Sequence, residues 1–388
     1  MKVLFLTHSF PRFSGDAPGS FLLRLAIALR NENVRVHVVA PAAAGLPEED
    51  EIDGITVERF RYAPRRYEKL AYTGNMAQDV ATSWSARLAL VGYFGSDFVR
   101  SVGARRSFEP DLIHAHWWFP SGVVGTWLSS LSHRPLVTTL HGTDVRIAKK
   151  IGMSRSLFRR VLNSSSRVTT VSTWLASEVA NLMSVPRPEI APMPVATERF
   201  EPGGSREPNR FLFAGRLNRQ KGLDHLLRAF AAMSRPAMLD VVGEGTLGPE
   251  FKLLASQLGI SDRVAWHGQL KQQQLVRLYQ SATAVVVPST DEGLGLVAAE
   301  ALLCETPVIA FRSGGLTDVI QHGTTGVLVT PGDTAELAAA LDNVLASPEH
   351  AANLGRAGRL FSLSAFAPES SASRYASIYR QVLAERPT

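Results

Sequence analysis

The chain has 388 residues, 45% hydrophobic and 20% charged, with a formal net charge of +6. At roughly 100–200 residues per domain this length implies two domains, and the composition is that of a globular protein, which excludes the disordered class. No apolar run reaches the ~18 residues of a membrane span, the single Cys304 cannot close an intrachain disulfide, and MKVLFLTHSF enters a strand pattern without a signal-peptide layout, so a cytoplasmic protein is expected.

Short β-branched runs alternate with helical patterns from the first residue, the signature of parallel α/β layers. Strands are predicted at 2–8, 34–40, 111–116, 135–141 and 167–172, with a helix over SFLLRLAIALR after GDAPG. Residues 184–208 are rich in proline and glycine and read as an interdomain connection. The alternation then restarts, with strands at 209–215, 238–243, 263–268, 284–289, 307–311 and 326–329 and helices between them, one running from about Gly295 to Leu303. The tail reads as an amphipathic helix over 368–388. These elements divide into domains at 1–190 and 200–367, with the terminal helix expected to pack back on the first.

Charge is uneven. Residues 1–200 hold 24 Lys+Arg against 17 Asp+Glu, whereas the remainder holds 17 against 18. Two clusters stand out, RFRYAPRRYEK at 59–69 and KKIGMSRSLFRR at 149–160. They form either a solvated face or a surface for an anionic membrane or a phosphate-bearing acceptor. No nucleic-acid-binding motif accompanies them.

Two loops carry candidate chemistry. In FAGRLNRQKGLDHLL a strand ends at Gly215, and Arg216 and Lys221 follow on the way into a helix, where two cations can meet a diphosphate. In DEGLGLVAAE, Glu292 and Glu300 stand eight positions apart after the strand AVVVPS. Gly293 and Gly295 let the backbone N–H groups of Gly293, Leu294, Gly295, Leu296 and Val297 approach a phosphate or sugar. Glu292 can then accept from ligand hydroxyls, while Glu300, two turns on, reaches another part of the same ligand. The two glutamates do not suit a hydrolytic pair, which needs carboxylates about 5–10 Å apart around one bond; two helical turns span roughly 11 Å. The pair reads as a grip.

The pair Glu292/Glu300 around GLGLV, with Gly215, Arg216 and Lys221, resembles the retaining glycosyltransferases of family 4, also called glycosyl transferases group 1. VVGEGTL (241–247), SGGLTDVIQHGTTGVLVTPGD (313–333), LHGTD (140–144) and VSTWLASEV (171–179) are similar to the same family, so the resemblance spans nearly the whole chain. It implies the GT-B fold, two Rossmann-like doubly wound parallel-sheet domains facing across a cleft, with a nucleotide-sugar donor held mainly by the second. By the same resemblance Arg216 and Lys221 bind the donor diphosphate and stabilise the leaving phosphate, Glu292 bonds hydroxyls of the transferred sugar, and Glu300 bonds the ribose. His141 faces the sugar from the first domain. Gly15 and Gly19 give the phosphate and acceptor room, Gly243 belongs to the donor loops, and the backbone of His267, Gly268, Gln269 and Leu270 reads the base. Met193 and Pro194 stand where many members have Asn and Gly, and GDAPGSF replaces a common Gly-Gly pair, which leaves open which of Gly15 and Gly19 lies under the phosphate.

No two aspartates stand two apart, and HAH at 114–116 lacks a third ligand, so neither a metal nor another cofactor is expected. The function expected from the resemblance is retaining, metal-independent hexosyl transfer from a sugar of the UDP-glucose, UDP-N-acetylglucosamine or GDP-mannose type. The acceptor would be a lipid-linked, polysaccharide or other anionic glycan, with peripheral contact to the inner membrane face as a further option. The alternatives are a nucleotide-sugar hydrolase or epimerase of the same fold, and a non-catalytic nucleotide-sugar-binding partner. A dehydrogenase is disfavoured because no G-x-G-x-x-G follows the first strand.

Overall fold

The computed structural model describes residues 1–72, 76–150, 152 and 154–385. The chain forms two units, Met1–Pro194 together with Pro368–Thr388, and Val195–Ala367. Ile151 and Met153, inside the second basic cluster, and residues 386–388 of the expected terminal helix lie outside the described residues.

The first unit is built on eight strands: β1 (Lys2–Leu6), β2 (Arg35–Pro41), β3 (Glu49–Ile52), β4 (Ile55–Phe60), β5 (Leu112–His116), β6 (Leu136–Leu140), β7 (Arg167–Thr170) and β8 (Glu189–Ile190). Their order is β3-β4-β2-β1-β5-β6-β7-β8, with every pairing parallel except β3 to β4. Strands covered by helices on both faces read as unbroken apolar runs, and Val3, Leu4, Phe5 and Leu6 are fully buried accordingly. The terminal helix Pro368–Ala384 belongs to this unit. Its Tyr379 hydroxyl lies 2.7 Å from His114 Nδ1, and Tyr375 donates to the carbonyl of Ala191 at 2.9 Å.

The second unit holds β9 (Arg210–Ala214), β10 (Met238–Val242), β11 (Val264–Gly268), β12 (Ala284–Val287), β13 (Val308–Phe311) and β14 (Gly326–Val329) in the all-parallel order β11-β10-β9-β12-β13-β14. Phe211, Phe213 and Val241 of this sheet pack with Leu226, Leu227 and Phe230 of the helix Leu223–Ala231.

The structure corrects three expectations. The β3–β4 hairpin was not anticipated: EDEI is too acidic to resemble a strand, yet it sits at the sheet edge, where charge is tolerated. Asp53 and Gly54, both at positive φ, make its turn. The interdomain connection at 184–208 is also shorter than its composition suggests, because Glu189–Ile190 pairs with β7 and the unit boundary falls at Pro194/Val195. Finally, 59–69 is not one basic face. Arg59 is fully buried, donating to the carbonyl of Pro11 at 2.7 Å and to the Tyr72 hydroxyl at 3.0 Å, and Arg61 pairs with Glu68. Phe60 and Tyr62 are core residues.

Candidate active site

In the second sheet the chain steps outward from β9 to β11, then returns to place β12 on the other side of β9. Ligands of open parallel sheets bind outside the strand carboxyl ends at such a reversal. The two loops that leave this point are tied together, since Thr290 N donates to the carbonyl of Gln220 at 2.9 Å. Asn218 caps the turn Arg219–Lys221 by accepting from Lys221 N. Gly222, at φ 67°, is obligatory: a Cβ there would stand 2.0 Å from the carbonyl oxygen of Pro288. The outcome is a direct ion pair, Lys221 Nζ lying 2.8 and 3.1 Å from the two carboxylate oxygens of Glu292. Arg216 is exposed beside them and has no side-chain partner among the described residues.

Gly295, at φ 97°, starts the helix Leu296–Leu303. Its carbonyl accepts from Ala298 and Ala299, while the N–H groups of Leu296 and Val297 precede any intrahelical acceptor and favour an anion. The loop before it rests on Gly314 and Gly315. Gly315 N donates to the carbonyl of Glu292 at 2.7 Å, and a Cβ on Gly314 would fall 2.4 Å from that same oxygen. Both glycines lie in the quoted SGGLTDV stretch, yet their service to Glu292 is invisible without the fold. Glu300 accepts from the Tyr279 hydroxyl at 3.1 Å and is half-buried on the same helix.

The glycines at the ends of β9, β10 and β11 pack against one another. Gly243 N donates to the carbonyl of Gly268 at 2.8 Å, and a Cβ on Gly243 would meet the carbonyl oxygen of Gly215 at 1.9 Å. Gly215, Gly243 and Gly268 therefore stand shoulder to shoulder at the ends of β9, β10 and β11. The His267 ring turns to Asp240, with Nε2 2.6 Å from Oδ1, and Arg210 holds the same carboxylate at 2.5 and 3.0 Å. That leaves the backbone of Gly268, Gln269 and Leu270, rather than the imidazole, at the strand mouth.

In the first sheet the reversal lies between β1 and β5. Aromatic residues gather at their carboxyl ends. Trp117 stacks on His141 with centroids 4.2 Å apart, His8 meets the same indole edge-on at 4.2 Å, and His116 Nδ1 lies 3.3 Å from His141 Nε2. Burial lowers the pKa of His8 to about 4 and that of His141 well below the usual histidine range, so these rings are neutral at neutral pH. Gly15, at φ 88°, faces open space. Gly19 caps the helix Ser20–Ala28, and a Cβ there would stand 2.4 Å from the carbonyl oxygen of Ser9. Of the two, Gly15 has the room.

Sequence reasoning passed over Asp144 of LHGTD. Its Oδ1 accepts from the backbone N–H of His141, Gly142 and Val145 at 3.2, 2.9 and 3.0 Å, and its Oδ2 from Trp118 N at 3.2 Å. One carboxylate thus sets both loops that carry His141 and Trp117. Burial raises its pKa to about 6, against the pull of those four donors.

Residues 195–361 match the family described as glycosyl transferases group 1, and residues 17–196 match the glycosyl transferase 4-like domain. The chain is 33% identical over 328 residues to the D-inositol 3-phosphate glycosyltransferase of Acidothermus cellulolyticus, covering 76% of this chain and 72% of that one. It belongs to the group 1 glycosyltransferases. Among solved structures, this glycosyltransferase is similar to sucrose-phosphate synthase from Thermosynechococcus elongatus, with a TM-score of 0.83 at 23% identity over 99% of this chain and 100% of that one. It is also similar to Anabaena HepE in complex with UDP-glucose, at a TM-score of 0.73 and 21% identity over 98% and 100%. Its two parallel-sheet units are those of the GT-B fold.

Proposed function

We propose that this glycosyltransferase moves a hexose from a nucleotide-diphosphate sugar to an acceptor hydroxyl with retention of anomeric configuration and without a metal ion. The observation that carries this reading is the Lys221–Glu292 pair at the β9/β12 reversal, beside the unpartnered Arg216 and a helix N-terminus. Arg216, Lys221 and the helix dipole offset the charge that develops as the nucleotide diphosphate departs. Glu292 accepts from sugar hydroxyls, and its ion pair aligns the Lys221 ammonium toward the diphosphate. The bond from the anomeric carbon to phosphate oxygen breaks as the acceptor oxygen bonds to the same face, and the departing phosphate takes the acceptor proton. No enzymic nucleophile is required.

A UDP-sugar donor draws support from the UDP-glucose complex of the Anabaena protein, and an anionic acceptor from the inositol 3-phosphate in the name of the Acidothermus relative. A GDP-mannose donor and a lipid-linked or polysaccharide acceptor, met in the cytoplasm or at the inner membrane face, fit the same chemistry. Thermal shift with UDP-, GDP-, ADP- and TDP-sugars identifies the base, because a donor stabilises the folded state by mass action. The anomer formed, read by NMR with and without chelator, tests retention and metal independence. Full turnover in both Arg216→Ala and Lys221→Ala would remove these residues from the mechanism, and an acceptor-independent rate equal to the full rate would make the enzyme a hydrolase.

A further inference from the structure

The long helix Trp84–Phe108 carries a surface that donor chemistry does not use. Trp84, Leu88, Val91 and Val99 are between 54% and 72% exposed, and their spacing of four, three and eight residues sets them on one stripe. The stripe continues onto the helix Val123–Ser132. There Trp127 and Leu131 are 40% and 60% exposed, and the Trp127 indole meets Phe94 and Phe98 of the long helix at 5.7 and 6.1 Å. Exposed apolar side chains occur singly on most proteins; a contiguous set of six marks a contact surface.

Its charges are mostly positive. The only acid on the long helix is the buried Asp97, whereas Arg87, Arg105 and Arg106 lie toward its two ends, with Asp79 on the helix before it and the exposed Glu109 just after it as the acids nearby, and Val123–Ser132 bears no charge. The turn Arg65–Tyr67, exposed throughout, packs beside the same helix. Glu48, Glu49 and Glu58, near Val99, are drawn to Arg100 at 2.7, 4.0 and 3.6 Å. A two-fold contact between copies would set these arginines against one another, because such an interface presents the same patch from both sides. The complement of an apolar stripe with tryptophans and arginine ends is a headgroup layer of negative charge over hydrocarbon.

We propose that the face formed by Trp84–Phe108 and Val123–Ser132 docks on an anionic membrane surface. This deepens the reading of a transferase that works at the membrane, and it gives that role to an apolar helix face flanked by the exposed turn Arg65–Tyr67 of the 59–69 cluster, without the cluster at 149–160. Among the described residues no helix is long and apolar enough to cross a bilayer, so contact through this face is peripheral. Trp84, Leu88, Val91 and Trp127 enter the boundary between headgroups and acyl chains, and the arginines meet lipid phosphates.

Sedimentation of the full chain with vesicles of phosphatidylcholine, alone or with about one third phosphatidylglycerol, tests the proposal. Binding to the anionic vesicles alone is expected, weakening with salt. Leu88→Glu and Val91→Glu lower it by about tenfold or more, and Arg105→Glu with Arg106→Glu by about fivefold per site. Each variant keeps the wild-type thermal shift with donor nucleotide, which separates this proposal from the transferase reading: a lost shift in the wild type would sink that reading alone. Equal binding to both vesicles, no binding, or unchanged binding by the variants would overturn the membrane surface. So would a wild-type dimer that Val91→Glu converts to monomer, which would make this a face between copies of the chain.

Discussion

The ammonium of Lys221 lies within 3.1 Å of both carboxylate oxygens of Glu292, although 71 residues separate them in the chain. Each side chain orders the other. Lys221→Ala leaves a mostly buried carboxylate unpaired, and Glu292→Gln keeps shape while releasing the lysine. Either change lowers turnover by about 10²-fold or more, in line with losing one preorganised electrostatic partner. The double variant falls well short of the product of the two losses, because both remove one unit. Steady-state kinetics on the four proteins closes the cycle; fully multiplicative effects would mean that the two act separately.

Gly314 gives a test of position rather than charge. Its Cβ would enter the space held by the Glu292 backbone, with the nitrogen at 2.6 Å and the oxygen at 2.4 Å. Gly314→Ala is expected to weaken donor binding and turnover by about tenfold or more, as misplacement of a binding loop does. Gly323→Ala is the control: it shares a positive φ, but nothing lies within 4 Å of its Cβ. Equal kinetic losses in the two would assign the effect to backbone strain alone.

Asp97 supplies a pH dependence. It is 1% exposed, Ser101 donates to its Oδ1 at 3.1 Å, and its Oδ2 has no partner among the described residues. Burial raises its pKa from 3.8 to about 8. The folded state therefore holds a proton that the unfolded state has released, and its contribution to stability falls as pH rises from 3.8 to 8. The histidines oppose this. His8, at about 4, and His114, at about 3, favour folding more as pH rises toward 6.5. The diagnostic quantity is thus the difference between proteins: Asp97→Asn gains on the order of 1–3 kcal/mol at pH 8 and loses that gain toward pH 4. Urea midpoints across the range read it, and a pH-independent difference would contradict the assignment.

Cys304 is 2% exposed, and burial pushes its thiol up to about 12. The native enzyme resists iodoacetamide at pH 8 over hours, whereas unfolding in urea gives one labelled cysteine per chain, read by mass spectrometry. Rapid native labelling would mean that the helix Leu296–Leu303, which carries Glu300, opens locally.

The sequence told most where local pattern and tertiary role coincide. The strands of the second unit are mostly apolar runs bounded by Gly or Pro, so β9 to β14 were legible to within about two residues. Arg216, Lys221 and Glu292 were legible as candidates because each follows a strand. Their pairing was not, since nothing local links Lys221 to Glu292. Arg59 was misread because composition does not register that a guanidinium buried on β4 can be satisfied by carbonyls from Pro11 and Pro41. Asp144, Gly314 and Gly315 all lie in quoted motifs, but Asp144 reaches Trp118 N and the two glycines reach the Glu292 backbone, on other loops, which spacing along the chain does not encode. The apolar stripe from Trp84 to Val99 escaped notice because glycine and serine are interspersed along it, so it reads as an ordinary mixed helix until exposure is known.

Tyr375 and Tyr379 are fully buried in the first unit, though they come from its last contributed helix, Pro368–Ala384. During synthesis the order of completion is therefore inverted. The second unit, Val195–Ala367, is whole before the first can close, and the earlier-made sheet must wait with His114 and Ala191 uncovered until the helix Pro368–Ala384 emerges. A ribosome that stops within the helix Pro368–Ala384 would leave a finished second unit attached to an open first one.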